Sequence, residues 1–176
     1  MCFDAGELIQ GYPPQWRHPN KQAVYELVCN CGIPFTGLVT YARWREIQLP
    51  DVISARVRFE VLSGFFDYVS RTPSGTGDWH LNFADPNLFT AYGSSLLAQD
   101  ELQVAEHPVL GSLREALAAI GKPPRTVDEH GRPTPVTITG VQRRCVIDTM
   151  PDARAHRPQK RSFGVRLAIL QLAFRG

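Results

Sequence analysis

The chain has 176 residues, 43% of them apolar and 20% charged, and carries a net charge of +2. That length buries a core without disulfides or a structural metal and suits one domain over 1–176. No repeat recurs at solenoid or propeller period, and no apolar run reaches the roughly 18 residues of a bilayer span. Met1-Cys2-Phe3-Asp4 has no basic stretch leading into an apolar one, so no secretory leader is expected. A cytoplasmic location and no membrane partner are the expectation.

Residues 1–20 hold Pro13, Pro14 and Pro19 and read as an irregular lead-in. Residues 21–28 suit a short helix, and 37–44, rich in β-branched and aromatic side chains, suit a strand. Residues 52–69 are strand-like; polar and apolar residues alternate over 56–61, and Gly64 marks a bend. Pro73, Gly75 and Gly77 make 72–78 a loop. Trp79-His80-Leu81-Asn82-Phe83-Ala84 reads as a strand that Pro86 ends. After a loop over 87–94, helices are expected over 96–106, capped by Ser94 or Ser95, and over 110–120, closed by Gly121. Residues 122–135 form a loop, 135–147 a further strand region and 163–174 a last helix or strand. This mixture predicts an α/β or α+β sandwich, in which ligands commonly sit where strands end and helices begin.

Cys2, Cys29, Cys31 and Cys145 show no second pair at zinc-site spacing, and free reduced thiols are expected. The segment 153–176 carries Arg154, Arg157, Lys160, Arg161, Arg166 and Arg175 and no acid after Asp152. Such a segment can meet phosphate, as nucleic acid or as a nucleotide diphosphate, or be a solvated tail.

On a helical wheel of 96–106, Leu97, Ala98, Leu102, Val104 and Ala105 share one arc. Gln99, Asp100, Gln103 and Glu106 take the opposite arc, but Glu101 falls inside the apolar one. A carboxyl on a buried face is costly unless paired, and burial raises its pKa toward the range useful for acid/base work. The alternative is an edge glutamate reaching past its neighbours to water. Asp100 and Glu101 are adjacent and so do not share a helix face. His80 and His107 read as packing and as capping or surface groups, and Trp16, Trp44 and Trp79 as core or edge aromatics.

Leu81-Asn82-Phe83-Ala84-Asp85, a loop, Gln99-Asp100-Glu101 and then Pro108 resemble the signature of the poly(ADP-ribose) glycohydrolases, which are macrodomains. The resemblance covers residues 79–108. It implies a macrodomain-like mixed sheet flanked by helices, compact or shortened at the carboxyl end. It implies an ADP-ribosyl glycohydrolase that removes ADP-ribose from a modified protein or nucleic-acid base. Glu101 would be the acid/base residue, Asp100 would help orient the ligand, Asp85 would bind the ribose next to the bond, and Gln99, matching the family glutamine, would also bind substrate. The family's signature opens its helix with Gln-Glu-Glu and precedes it with glycines. Here Phe89-Thr90-Ala91, followed by Tyr92, stands in that loop, where side chains would crowd or reshape the ribose end of the pocket. Asp85 stands where the family has asparagine. Phe163, Gly164 and Arg166 suit a shortened phosphate loop. No metal or cofactor enters this scheme. A non-catalytic ADP-ribose or nucleotide reader, and a nucleic-acid-associated protein acting through its basic carboxyl end, are the competing expectations.

Overall fold

In a computed structural model of the chain, the structure describes residues 1–45, 51, 61, 79–82 and 85–147. The strand-like stretch 52–69 apart from Val61, the loop 72–78, and the carboxyl-terminal segment with Phe163, Gly164 and Arg166 lie outside these residues. The described chain is mixed α/β. Strand β1 (Cys2–Asp4) leads into helix α1 (Ala5–Gly11), then α2 (Pro19–Cys29) and strand β2 (Leu38–Arg43). Helices α3 (Gln99–Glu106) and α4 (Val109–Ala119) follow, and strand β3 (Val136–Thr139) comes last.

The three strands form one sheet with β2 in the centre, and every pairing in it is antiparallel. The mixed sheet expected from the resemblance is therefore not seen among the described residues. Alternation along β2 turns Val39 and Tyr41 inward and leaves Leu38 and Thr40 exposed. Phe3 pairs with Val39 and Ile138 with Tyr41, and both pack on the same inner face. Ala5 and Leu8 of α1, with Leu110, Leu113 and Leu117 of α4, complete this core. A second cluster joins Val24 and Val28 of α2 to Leu102 and Ala105 of α3, together with Cys145 and Ile147.

The lead-in expected over 1–20 is instead ordered into β1, α1 and the start of α2. Asp4 starts α1 by accepting the Gly6 and Glu7 N–H groups at 2.8 and 3.0 Å. Only Ala5 and Leu8 of that short helix are buried, which leaves too faint a period to read. At the other end, α4 stops as expected. Gly121 takes a left-handed φ of 70°, its N–H reaching Ala118 and that of Lys122 reaching Leu117.

Two expected strands fall short. Trp79, His80, Leu81 and Asn82 join no ladder, and Phe83 and Ala84 lie outside the described residues. Over 135–147 only Val136–Thr139 is strand. Beyond Gly140 the chain leaves the sheet and lies along α3, where the Arg144 N–H donates to the Glu106 carbonyl at 2.8 Å.

Candidate functional site

Helix α3 begins at Gln99, not at residue 96. Ser94 does not cap it; its hydroxyl accepts the Leu96 N–H in a turn before the helix. Ala98 is the N-cap residue, and alanine has no side-chain acceptor. The Glu101 carboxylate supplies one instead, with Oε2 accepting the Ala98 N–H at 2.9 Å. Gln99, Asp100 and Glu101 thus form the first turn of α3, where the helix dipole favours negative charge.

Glu101 is 2% exposed, so the inward placement holds. It is not singular. Gln99 and Gln103 are buried and Glu106 is 1% exposed, although the wheel sets all of them outward. The wheel assumes one wet face, whereas α3 packs against α2, α4 and the chain at 144–147. A second correction concerns Asp100. It stands next to Glu101 in sequence, yet its carboxyl is near enough to raise the Glu101 pKa through hydrogen bonding and charge. Side chains of a first helical turn lean back toward the amino terminus, beyond which no turn separates them. Burial pushes the Glu101 carboxyl above the usual range, the Asp100 hydrogen bond adds to this, and the Ala98 N–H opposes it.

Lys21 of α2 is a cation that senses this acidic pair. It is 6% exposed, and its ammonium donates to the Tyr92 and Leu96 carbonyls at 2.7 and 2.6 Å. Burial lowers its pKa to about 8, against the upward pull of Glu101 and Asp100. The sequence carried a signal for it. Lys21 shares a helical stripe with Val24 and Val28, the same misplacement that singles out Glu101. Lys21→Met keeps the apolar stem but leaves both carbonyls without their donor. It is expected to cost about 1–3 kcal/mol in urea unfolding. An unchanged midpoint would show that water replaces the ammonium.

The loop before α3 is packed rather than open. Phe89 adopts a left-handed φ of 56°, unusual for an aromatic, in the stretch where the resembled family has glycine. Its ring enters the core, so Phe89 does not crowd a pocket as expected. Tyr92 is buried too. Its hydroxyl accepts the Gln15 N–H at 2.6 Å and donates to Glu115 at 2.8 Å, and Trp16 packs edge-on against its ring. Gly93 passes so close to the Gln15 carbonyl that a Cβ would overlap it. Thr90 is exposed and Ala91 half-buried.

Asp85 is exposed, and its carboxylate accepts the Asn87 N–H at 2.9 Å in a local turn. No hydrogen bond or ion pair among the described residues joins it to Asp100 or Glu101. Gln99 donates to the Leu81 carbonyl at 2.7 Å, and Asn82 to Gln103 at 2.7 Å. Residues 81 and 82 of the motif are thereby held on α3, not in a sheet.

His107 closes α3 and is buried, not at the surface. Its Nδ1 lies 2.8 Å from the Gln103 carbonyl, the geometry of a neutral ring donating from Nδ1. Burial lowers its pKa from 6.5 to about 4. The folded state therefore binds this proton less well than the unfolded one. The stability this contributes is full above pH 6.5 and is lost as pH falls toward 4. A shift of that size corresponds to about 3 kcal/mol. Glu101 and Glu106, with raised values, act in the opposite sense, so the comparison must be with a variant. His107→Gln is expected to lose clearly less stability than the parent between pH 7 and 4.5 in urea titrations. Equal losses would remove His107 as the cause.

Comparison of the chain with family models, with curated proteins and with solved structures found no match. Among the described residues no group of three His, Cys, Asp or Glu side chains is placed to hold a metal ion. No helix among them is long and apolar enough to cross a membrane.

Proposed function

We propose that the chain is a macrodomain-like ADP-ribosyl glycohydrolase in which Glu101 is the acid/base residue. The observation that carries the reading is the opening of α3 at Gln99, which puts a half-buried Asp100 beside a buried Glu101 in the first turn. A Gln-acid-acid helix start is what the resemblance implies, and the capping serines alone would have started the helix earlier. The left-handed backbone at Phe89 suits a loop that descends from glycine.

The chemistry follows from the pair. A carboxyl whose proton affinity is raised by burial and by its neighbour can give a proton to the leaving oxygen of a ribosyl bond. The resulting carboxylate then takes a proton from the water that attacks the oxocarbenium-like ribose. Asp100 positions Glu101 and raises its proton affinity. Backbone N–H groups of the loops would receive the diphosphate.

A second reading is a module that holds ADP-ribose without cleaving it. It draws on the Glu101 carboxylate being engaged by the Ala98 N–H. Incubation with ADP-ribosylated protein and with ADP-ribosylated DNA separates the two. Release of free ADP-ribose from either substrate supports the hydrolase. Calorimetric binding of ADP-ribose without release supports the module. Absence of both overturns the macrodomain reading.

A further inference from the structure

We propose that the cleft between the end of β2 and the turn after α4 is a binding site for a small diphosphate-bearing ligand. The cleft has a volume of about 280 Å³ and is lined by Met1, Tyr41, Arg43, Lys122, Pro123 and Arg125. Three of these six side chains are cations and none is an acid. The whole chain carries a net charge of only +2, so this is a local concentration of positive charge. The inference does not rest on the glycohydrolase reading, because none of Asp85, Asp100 and Glu101 lines the cleft.

The cations are poised in different ways. Arg43 lies on the same face of β2 as Val39 and Tyr41, one step past the core. Its Nε–H donates to Thr134 Oγ1 at 2.8 Å and its Nη2 to the Val127 carbonyl at 2.5 Å. Neither partner carries a charge, so among the described residues the guanidinium is fixed but not neutralised, with further N–H donors to spare. Among the described residues, the Lys122 ammonium has for partner only the Met1 thioether sulfur, a weak acceptor at 3.9 Å. Arg125 makes no side-chain hydrogen bond or ion pair among the described residues. Its backbone is pinned by the bridge to Asn87 and by the Pro123 carbonyl.

Three cations with no acidic partner among the described residues line one concavity and fit an anion with several acceptor oxygens. Adjacent phosphates supply several such oxygens for two guanidinium forks and an ammonium. A nucleic-acid backbone would call instead for a stripe of charge along a surface. The Tyr41 ring and the Pro123 and Met1 side chains give the cleft an apolar side, and the volume leaves room for more than the phosphates.

The test uses the full chain and inorganic pyrophosphate as probe. Calorimetry is expected to show saturable 1:1 binding. The exposed pair of substitutions Lys122→Ala with Arg125→Ala is expected to weaken it at least about tenfold without changing the circular dichroism. Arg132→Ala, at a cation already paired with Asp128, should leave it unchanged. Amide shifts in a ¹H–¹⁵N spectrum of the parent protein should centre on Tyr41, Arg43, Lys122 and Arg125. No saturable binding, equal binding by the double variant, or shifts confined elsewhere would overturn the proposal. So would a single-stranded oligonucleotide held by the same residues that pyrophosphate cannot displace.

Discussion

Arg143→Ala is expected to destabilise the fold by about 3–5 kcal/mol, the usual cost of stripping one partner from a buried ion pair. Glu106, at the end of α3, is 1% exposed. The Arg143 guanidinium approaches its Oε2 through Nε at 2.9 Å and Nη2 at 2.8 Å. Its Oε1 accepts the Ile147 N–H at 2.8 Å. Together with the Arg144 N–H on the Glu106 carbonyl, these bonds lay the chain at 143–147 along the helix. They thereby seat Cys145 and Ile147 in the second core cluster.

The pH dependence of that loss separates a buried pair from a solvated one. Burial raises the Glu106 carboxyl, while the Ile147 N–H and Arg143 restrain the rise. A raised group gives stability that is complete below its unfolded value, here 4.5, and is lost as pH climbs through its folded value. Without Arg143 the rise is larger, so the variant's deficit should widen from pH 4 to pH 8. Urea unfolding at the two pH values measures this. A deficit below about 1 kcal/mol that is flat with pH would mean the carboxylate is hydrated after all. Glu106→Gln with Arg143→Met should recover most of the loss, because it leaves no orphaned charge and the amide oxygen can still accept the Ile147 N–H.

How far the sequence discloses this region depends on how local each determinant is. Helix α4 could be read because its apolar period, its length and Gly121 agree, and all are near neighbours in the chain. Strand β2 could be read because alternation survives on a half-buried sheet. Helix α3 resists the same treatment. It is eight residues long and enclosed on several sides, so its polar residues are buried with the apolar ones. Glu106 finds its partner 37 residues away at Arg143, a pairing no periodicity encodes. Lys21 meets the loop carbonyls across 71 and 75 residues, yet its place among Val24 and Val28 does show in the sequence. The inward turn of Phe89 had no signal, since an aromatic with left-handed backbone is set by the packing around it.

Glu101→Gln is expected to reduce ADP-ribose release about 10²–10⁴-fold, the range for losing a general acid/base. The amide oxygen can still accept the Ala98 N–H, so the start of α3 should persist and ADP-ribose binding with it. A fall in rate with intact binding is the signature of lost chemistry, whereas a parallel fall in both would mark Glu101 as a cap alone. Asp100→Asn sharpens the distinction. The carboxyl of Asp100 raises the Glu101 pKa both by its hydrogen bond and by its charge. Asparagine keeps a hydrogen bond but donates it to the carboxylate, which favours the ionised form. The protonated fraction of Glu101 then declines at lower pH, and the alkaline limb of the rate profile should move toward acid. A capping role predicts no movement of that limb, because the Ala98 N–H does not sense which form of residue 100 stands beside it.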